Sequence, residues 1–205
     1  LRWDIPVSDA DRSWASQFRH MGNPLIVISP CSSQRSRNYR NWSVNNFRKL
    51  VAHIGNEYDG KVVLTGGNSD LEHEYASAIS AASDNVDDLT GKTNLKQLLA
   101  LISEADALVC PDSGPAHMAT TVGTNVVGLY ATSNPDRTGP YLSRQYSVNR
   151  YPDAVARFLG KSVGELQWGQ RVRSPEAMEL MRIGEVTAKV DDLLKKAANF
   201  KKLPQ

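Results

Sequence analysis

The 205-residue sequence is 40% hydrophobic and 22% charged, with 24 Lys+Arg against 22 Asp+Glu and a formal net charge of +2. Those proportions suit a globular chain of one domain with room for an appendage, and the near-neutral balance argues against a dedicated nucleic-acid binder. Mean hydropathy is −0.41, and no apolar run approaches the ~20 residues of a bilayer-spanning helix.

The first twenty residues lack the apolar stretch of a signal peptide, and the two cysteines, Cys31 and Cys110, are too few for a disulfide scaffold. The expected setting is a reducing cytoplasm. Residues 1–23 carry Pro6 and Trp14/Phe18 at helical spacing and read as an interdomain linker with one short helix. Residues 25–29 (Leu-Ile-Val-Ile-Ser), between Pro24 and Pro30, read as a buried strand. Ser43 is placed to N-cap a helix with Val44, Phe47, Val51 and Ile54 on one face. Residues 61–65 form a second strand ending at Gly66-Gly67, and Ser69/Glu72 have capping-box spacing ahead of Leu71, Tyr75, Ala78 and Ile79. Val86 to Leu89 is a less apolar strand candidate. Asn94/Gln97 open a helix with Leu95, Leu98, Leu99 and Ile102 at i, i+3, i+4, i+7. Residues 107–110 form a strand stopping at Pro111, a short helix runs from Ser113 to Gly123, and residues 125–130 form another strand. Beyond the loop 131–141, Ser174-Pro175-Glu176 predicts the start of a long helix, with Gly184 breaking or bending it and Val186, Val190, Leu193 and Leu194 on its apolar face. Lys195, Lys196, Lys201 and Lys202 complement its C-terminal end. The domain organisation read from this pattern is 1–23, 24–150 as a nucleotide-sugar-binding unit, and 151–205 as a helical extension.

Alternating strand and helix patterns imply a Rossmann-like α/β fold, a parallel sheet with helices on both faces. Continuously apolar strands fit burial on both sides. In such sheets ligands bind beyond the carboxyl ends of the strands. Here those ends are Ser29-Pro30-Cys31-Ser32-Ser33, Thr65-Gly66-Gly67-Asn68-Ser69 and Pro111-Asp112-Ser113-Gly114-Pro115. Small residues permit close backbone approach, and open amides at a helix start favour phosphate. Together they point to a phosphorylated ligand, while each alone is equally a plain turn. The basic stretch Arg35 to Trp42 offers Arg40, and secondarily Arg37, as diphosphate partners; its alternative is a solvated loop over a packed Trp42. Asp112 reads either as a helix cap or as an acceptor for sugar hydroxyls, with the Ser113 and Gly114 amides on phosphate; His117 lies one turn on. The sequence has no G-x-G-x-x-G after the first strand, no P-loop, no zinc-ligand spacing and no nucleophile elbow. No metal or cofactor is expected.

Asn41-Trp42 followed by Phe47, Val63-Leu64-Thr65-Gly66-Gly67, Leu89-Thr90-Gly91-Lys92-Thr93-Asn94-Leu95, Asp112-Ser113-Gly114-Pro115-x-His117-x-Ala119 and Asn134-Pro135-Asp136-Arg137-Thr138-Gly139-Pro140-Tyr141 occur in that order. This resembles the C-terminal half of the ADP-heptose:lipopolysaccharide heptosyltransferases, glycosyltransferase family 9, over roughly residues 22–145, with an echo from Met181 to Leu194. The resemblance implies the two-domain GT-B arrangement, with this chain as the donor-binding half and the catalytic base on an N-terminal domain without counterpart here. It implies ADP-heptose contacts from Ser32, Ser33, Arg40, Asp112, Ser113, Gly114 and His117, with the base near Leu89–Thr93. Where the family usually has lysine, this sequence has Arg40, and the loop before Trp42 looks longer; where the family often has a ribose-binding acid after Gly67, it has Asn68-Ser69-Asp70. The implied function is heptose transfer to a lipopolysaccharide inner-core acceptor held by the other domain, in the cytoplasm and peripheral at the inner membrane, with no metal. The alternatives are a stand-alone nucleotide-sugar-binding module and a sugar-nucleotide epimerase-like domain.

Overall fold

The computed structural model describes residues 3, 5–32 and 38–201. Six strands, β1 (Leu25–Ile28), β2 (Lys61–Leu64), β3 (Val86–Asp88), β4 (Ala107–Pro111), β5 (Val126–Tyr130) and β6 (Val148–Asn149), form one parallel sheet in the order β3-β2-β1-β4-β5-β6. The chain winds outward from β1 to β3, returns, and winds the other way from β4. The switch between β1 and β4 leaves a crevice at their carboxyl ends. There Ile28 pairs with Val109, and the Ser29 amide donates to the Val109 carbonyl at 3.0 Å.

Alternation along the strands divides the core. Ile26, Ile28, Val62, Leu64, Val109, Val127 and Leu129 face one side, where α2 (Val44–Tyr58), α3 (Asp70–Ser80), α7 (Tyr151–Leu159) and α8 (Ile183–Lys201) cover them. Leu25, Val27, Val63, Leu108, Cys110 and Val126 face the other, under α1 (Asp9–Ser16), α4 (Leu95–Glu104) and α5 (Gly114–Val122). A short α6 (Pro135–Thr138) follows β5. Both faces are therefore buried, as continuously apolar strands require.

The start signals are read correctly at three helices. Ser43 and Ser69 cap α2 and α3, accepting from the amides of Asn46 and Glu72, and Asn94/Gln97 form a full capping box on α4. The Ser69/Glu72 pair departs from the box, because the Glu72 carboxylate accepts from the Gly67 amide at 2.7 Å and from the Ser69 hydroxyl at 2.5 Å. At α5 the C-cap Gly123 takes φ +79°, a conformation that costs a side-chain-bearing residue strain.

Two expectations need correction. Ser174-Pro175-Glu176 does not start the long helix; it leads into a 3-10 turn, Ala177–Leu180, and α8 begins at Ile183. The turn buries Ala177 and Met178, and the Met181 carbonyl accepts from Trp42 Nε1 at 3.2 Å, so tertiary burial holds the chain short of a helix. Gly184 then lies in the first turn of α8 instead of breaking a helix. The sixth strand, β6, was not anticipated: two residues carry no periodicity, and they pair with Leu129 and Tyr130.

The ends pack onto this sheet. Trp14 and Phe18 meet edge to face at 5.2 Å against the α4 side, and Arg19 pairs with Asp106 at 3.0 Å. Val186, Val190, Leu193 and Leu194 of α8 are buried in the α2-side core.

Candidate ligand site at the carboxyl edge

Four strand ends converge on a cleft of about 550 Å³. Ser29 and Cys31 follow β1, Thr65 to Ser69 follow β2, Thr93 to Leu95 lead into α4, and Ser113 to Pro115 open α5. The Ser29 and Thr65 hydroxyls hydrogen-bond each other at 2.6 Å beneath it. Gly66 and Gly67 bring bare backbone to the wall; a Cβ at Gly67 would lie 2.9 Å from a Glu72 carboxylate oxygen. Leu95 and Leu98 supply apolar surface to the same cleft. Exposed backbone together with aliphatic side chains suits a ligand with an apolar part and a polar part.

Ser113 joins this cleft to a charged cluster. Its hydroxyl turns back to the Pro111 carbonyl at 3.0 Å and does not cap α5. Pro115 near the helix start has no amide to satisfy, and the amides of Ser113 and Gly114 sit at a positive helix end. Where α2, α3 and α4 are closed by their own side chains, the start of α5 is left for an external acceptor.

Asp112 is 5% exposed, at the end of β4. Arg40 donates through Nη1 to the Asp112 carbonyl at 2.9 Å and lies 3.6 Å from its Oδ2. Arg171 Nη2 approaches the same Oδ2, also at 3.6 Å. That oxygen is buried and makes no hydrogen bond among the described residues. Ser133 Oγ, after β5, is likewise buried without a partner among the described residues.

The expected residues are thus partly assembled. Arg40, Asp112, Ser113 and Gly114 are together. Ser32 is buried and bonded inward, its amide to Asn41 Oδ1 at 2.9 Å and its hydroxyl to Asn38 Oδ1 at 2.9 Å. His117 is exposed on α5 and does not line the cleft. Ser33 and Arg37 lie outside the described residues. Trp42 is fully buried, edge to face with Phe47 at 5.4 Å, and is a packing residue. Arg171 was missed: it stands in irregular chain far along the sequence, and only the fold brings it to β4.

Both cysteines are free and buried. Burial pushes the thiols of both Cys31 and Cys110 up to about 12, aided at Cys31 by Glu72. Among the described residues no group of three or more His, Cys, Asp or Glu is placed to hold a metal ion, and no helix is long and apolar enough to cross a membrane. A larger hollow of about 990 Å³ lies at the opposite edge of the sheet, lined by Arg19 to Pro24, Asn56 to Asp59 and Leu194. The C-terminal parts of α1, α2 and α8 border it, and carbonyl ends repel phosphate.

A family model described as glycosyltransferase family 9 (heptosyltransferase) matches residues 1–160. The lipopolysaccharide core heptosyltransferase OpsX of Haemophilus influenzae is 35% identical over 193 residues, 94% of this chain and 54% of that protein. Lipopolysaccharide heptosyltransferase 2 of Salmonella typhimurium is 30% identical over 156 residues, 73% of this chain and 44% of that protein. The structure of Escherichia coli ADP-heptose lps heptosyltransferase II superposes with a TM-score of 0.69 at 24% identity, covering 95% of this chain and 54% of that one. The chain therefore spans about half the length of the curated relatives it matches.

Proposed function

Because the chain belongs to glycosyltransferase family 9, the heptosyltransferases, we propose that it is the donor-binding half of such an enzyme, holding ADP-heptose at the carboxyl edge of its sheet. The observation that carries this reading is the Arg40–Asp112–Arg171 cluster beside the open start of α5, at the point where strand order reverses. The nucleoside occupies the cleft, its base against Leu95 and Leu98. The diphosphate meets the Ser113 and Gly114 amides and the cation at Arg40. Asp112 accepts from heptose hydroxyls.

Transfer joins an acceptor hydroxyl to the anomeric carbon as the sugar–phosphate bond breaks, and negative charge gathers on the departing diphosphate. Fixed amides and guanidinium groups stabilise that charge as it develops. The acceptor, a lipopolysaccharide inner-core sugar, and the base that takes its proton belong to the other half of the enzyme, on the cytoplasmic side of the inner membrane. Calorimetric titration of the chain with ADP, UDP and GDP tests the assignment. ADP is expected to bind most tightly; equal affinities, or a preference for UDP, would remove the adenine assignment.

A further inference from the structure

We infer that Arg171 is a second diphosphate-binding arm of the site, the one that moves onto the ligand, while Arg40 is the fixed one. The inference rests on the donor-site reading above and assigns a residue beyond the 1–160 region matched by the family model.

The two arginines differ in how they are held. The side chain of Arg40 is 12% exposed. Its Nη1 is bonded to the Asp112 carbonyl and its Nε to Asn38 Oδ1 at 3.0 Å. The Arg171 side chain is 37% exposed, and its ion pair with Asp112 Oδ2 spans 3.6 Å, too long for a hydrogen bond. A guanidinium carries five donors in a planar fork suited to two phosphate oxygens. Those of Arg171 are held near an anion without being bonded to it.

The backbone beneath Arg171 is nevertheless fixed. The preceding Gln170 carbonyl accepts from the Tyr151 hydroxyl at 2.6 Å. The following Val172 is buried, and its amide donates to the Thr132 carbonyl at 2.9 Å. A pinned Cα beneath a loosely held head keeps a cation near the end of β4, so that binding has only the side chain left to order. Asp112 completes the device. Its Oδ2 is buried, lacks a hydrogen bond among the described residues, and stands between the two cations. It is the counter-charge for both. An arriving diphosphate offers Arg171 hydrogen bonds that Asp112 at this distance does not.

The test is titration of the full 205-residue chain with ADP, inorganic pyrophosphate and adenosine, for the parent, Arg171→Ala and Arg171→Lys, with melting temperatures recorded. Loss of a charge-assisted contact is expected to weaken ADP and pyrophosphate by about tenfold or more in Arg171→Ala. Adenosine should bind as to the parent, and Arg171→Lys should recover part of the ADP affinity. Parent-like ADP binding by Arg171→Ala overturns the inference. So does a parallel loss of ADP and adenosine, which marks a structural residue. A parent chain that binds none of the three ligands removes the donor-site reading itself, an outcome distinct from a parent that binds ADP and an Arg171→Ala chain that binds it equally.

Discussion

Asp112 stands between two guanidinium groups, and its replacement by Asn separates its two roles. The amide keeps the shape and removes the charge. Arg40 retains its bond to the Asp112 backbone carbonyl, but both cations lose the carboxylate 3.6 Å away. Stability should fall by about 1–3 kcal/mol, read as a lower denaturant midpoint with an unchanged slope. Binding should change selectively. ADP faces two uncompensated cations and should bind at least as tightly as to the parent. ADP-heptose should lose whatever extra affinity its sugar provides, because the acceptor for its hydroxyls has gone. Side-by-side titration of ADP and ADP-heptose checks this; equal weakening of both would place Asp112 on the nucleotide. Asp112 was legible in the sequence because a carboxylate directly after an apolar strand and before a helix has few purposes. Arg171 was not, since its partner lies 59 positions away and no local pattern encodes the encounter.

At the scale of elements, the contact of α8 with the rest of the fold depends partly on charge. Arg150, at the end of β6, bonds both carboxylate oxygens of Glu185 in the first turn of α8 and reaches Asp153 at 3.0 Å. Burial alone would raise the Glu185 carboxyl, but hydrogen bonds from Arg150 and the Arg182 amide outweigh it and hold the group below its ordinary 4.5. A carboxyl depressed in the folded state stabilises it above the unfolded value and ceases to do so as pH falls through the folded one. Arg150→Ala should therefore destabilise the chain by about 0.5–1 kcal/mol near neutral pH, a modest figure because both side chains are partly solvated. The difference from the parent should shrink below pH 4, and denaturant unfolding at pH 7 and pH 3.5 measures it. A difference independent of pH would mean that packing, and not charge, is lost. This corner also shows where sequence reading stops. Helices α2 to α5 and strands β1 to β5 announce themselves by caps, apolar periodicity and breakers. The two residues of β6 and the 3-10 turn before α8 do not, because pairing with Tyr130 and burial of Met178 decide their form.

For the whole molecule, the question is what a chain spanning half the length of its relatives retains. Its sheet is covered on both faces by its own helices, and Trp42, Phe47, Ile54, Ile79 and Leu101 are fully buried without help from another domain. Such a core should unfold cooperatively, in a single transition. The strand-end cleft, the open start of α5 and the Arg40–Asp112–Arg171 cluster are all built from residues of this chain, so nucleotide binding should survive isolation. Transfer demands more: an acceptor hydroxyl held at the anomeric carbon, a base to receive its proton, and a second wall to exclude water. Positioning alone is worth about 7–11 kcal/mol of barrier and general-base catalysis a further ~10²–10⁴ in rate. The expected outcome is measurable binding of ADP and ADP-heptose together with no detectable heptose transfer to a lipid-linked core acceptor. Addition of an N-terminal half from an identified relative, fused or in trans, should raise transfer above background while changing ADP affinity little, because the proposed diphosphate contacts lie on this side. Robust transfer by the 205 residues alone would place the base within them and end the division of labour proposed here. Binding of ADP that appears only when the second half is present would show that the donor site is shared between the halves instead of carried by one.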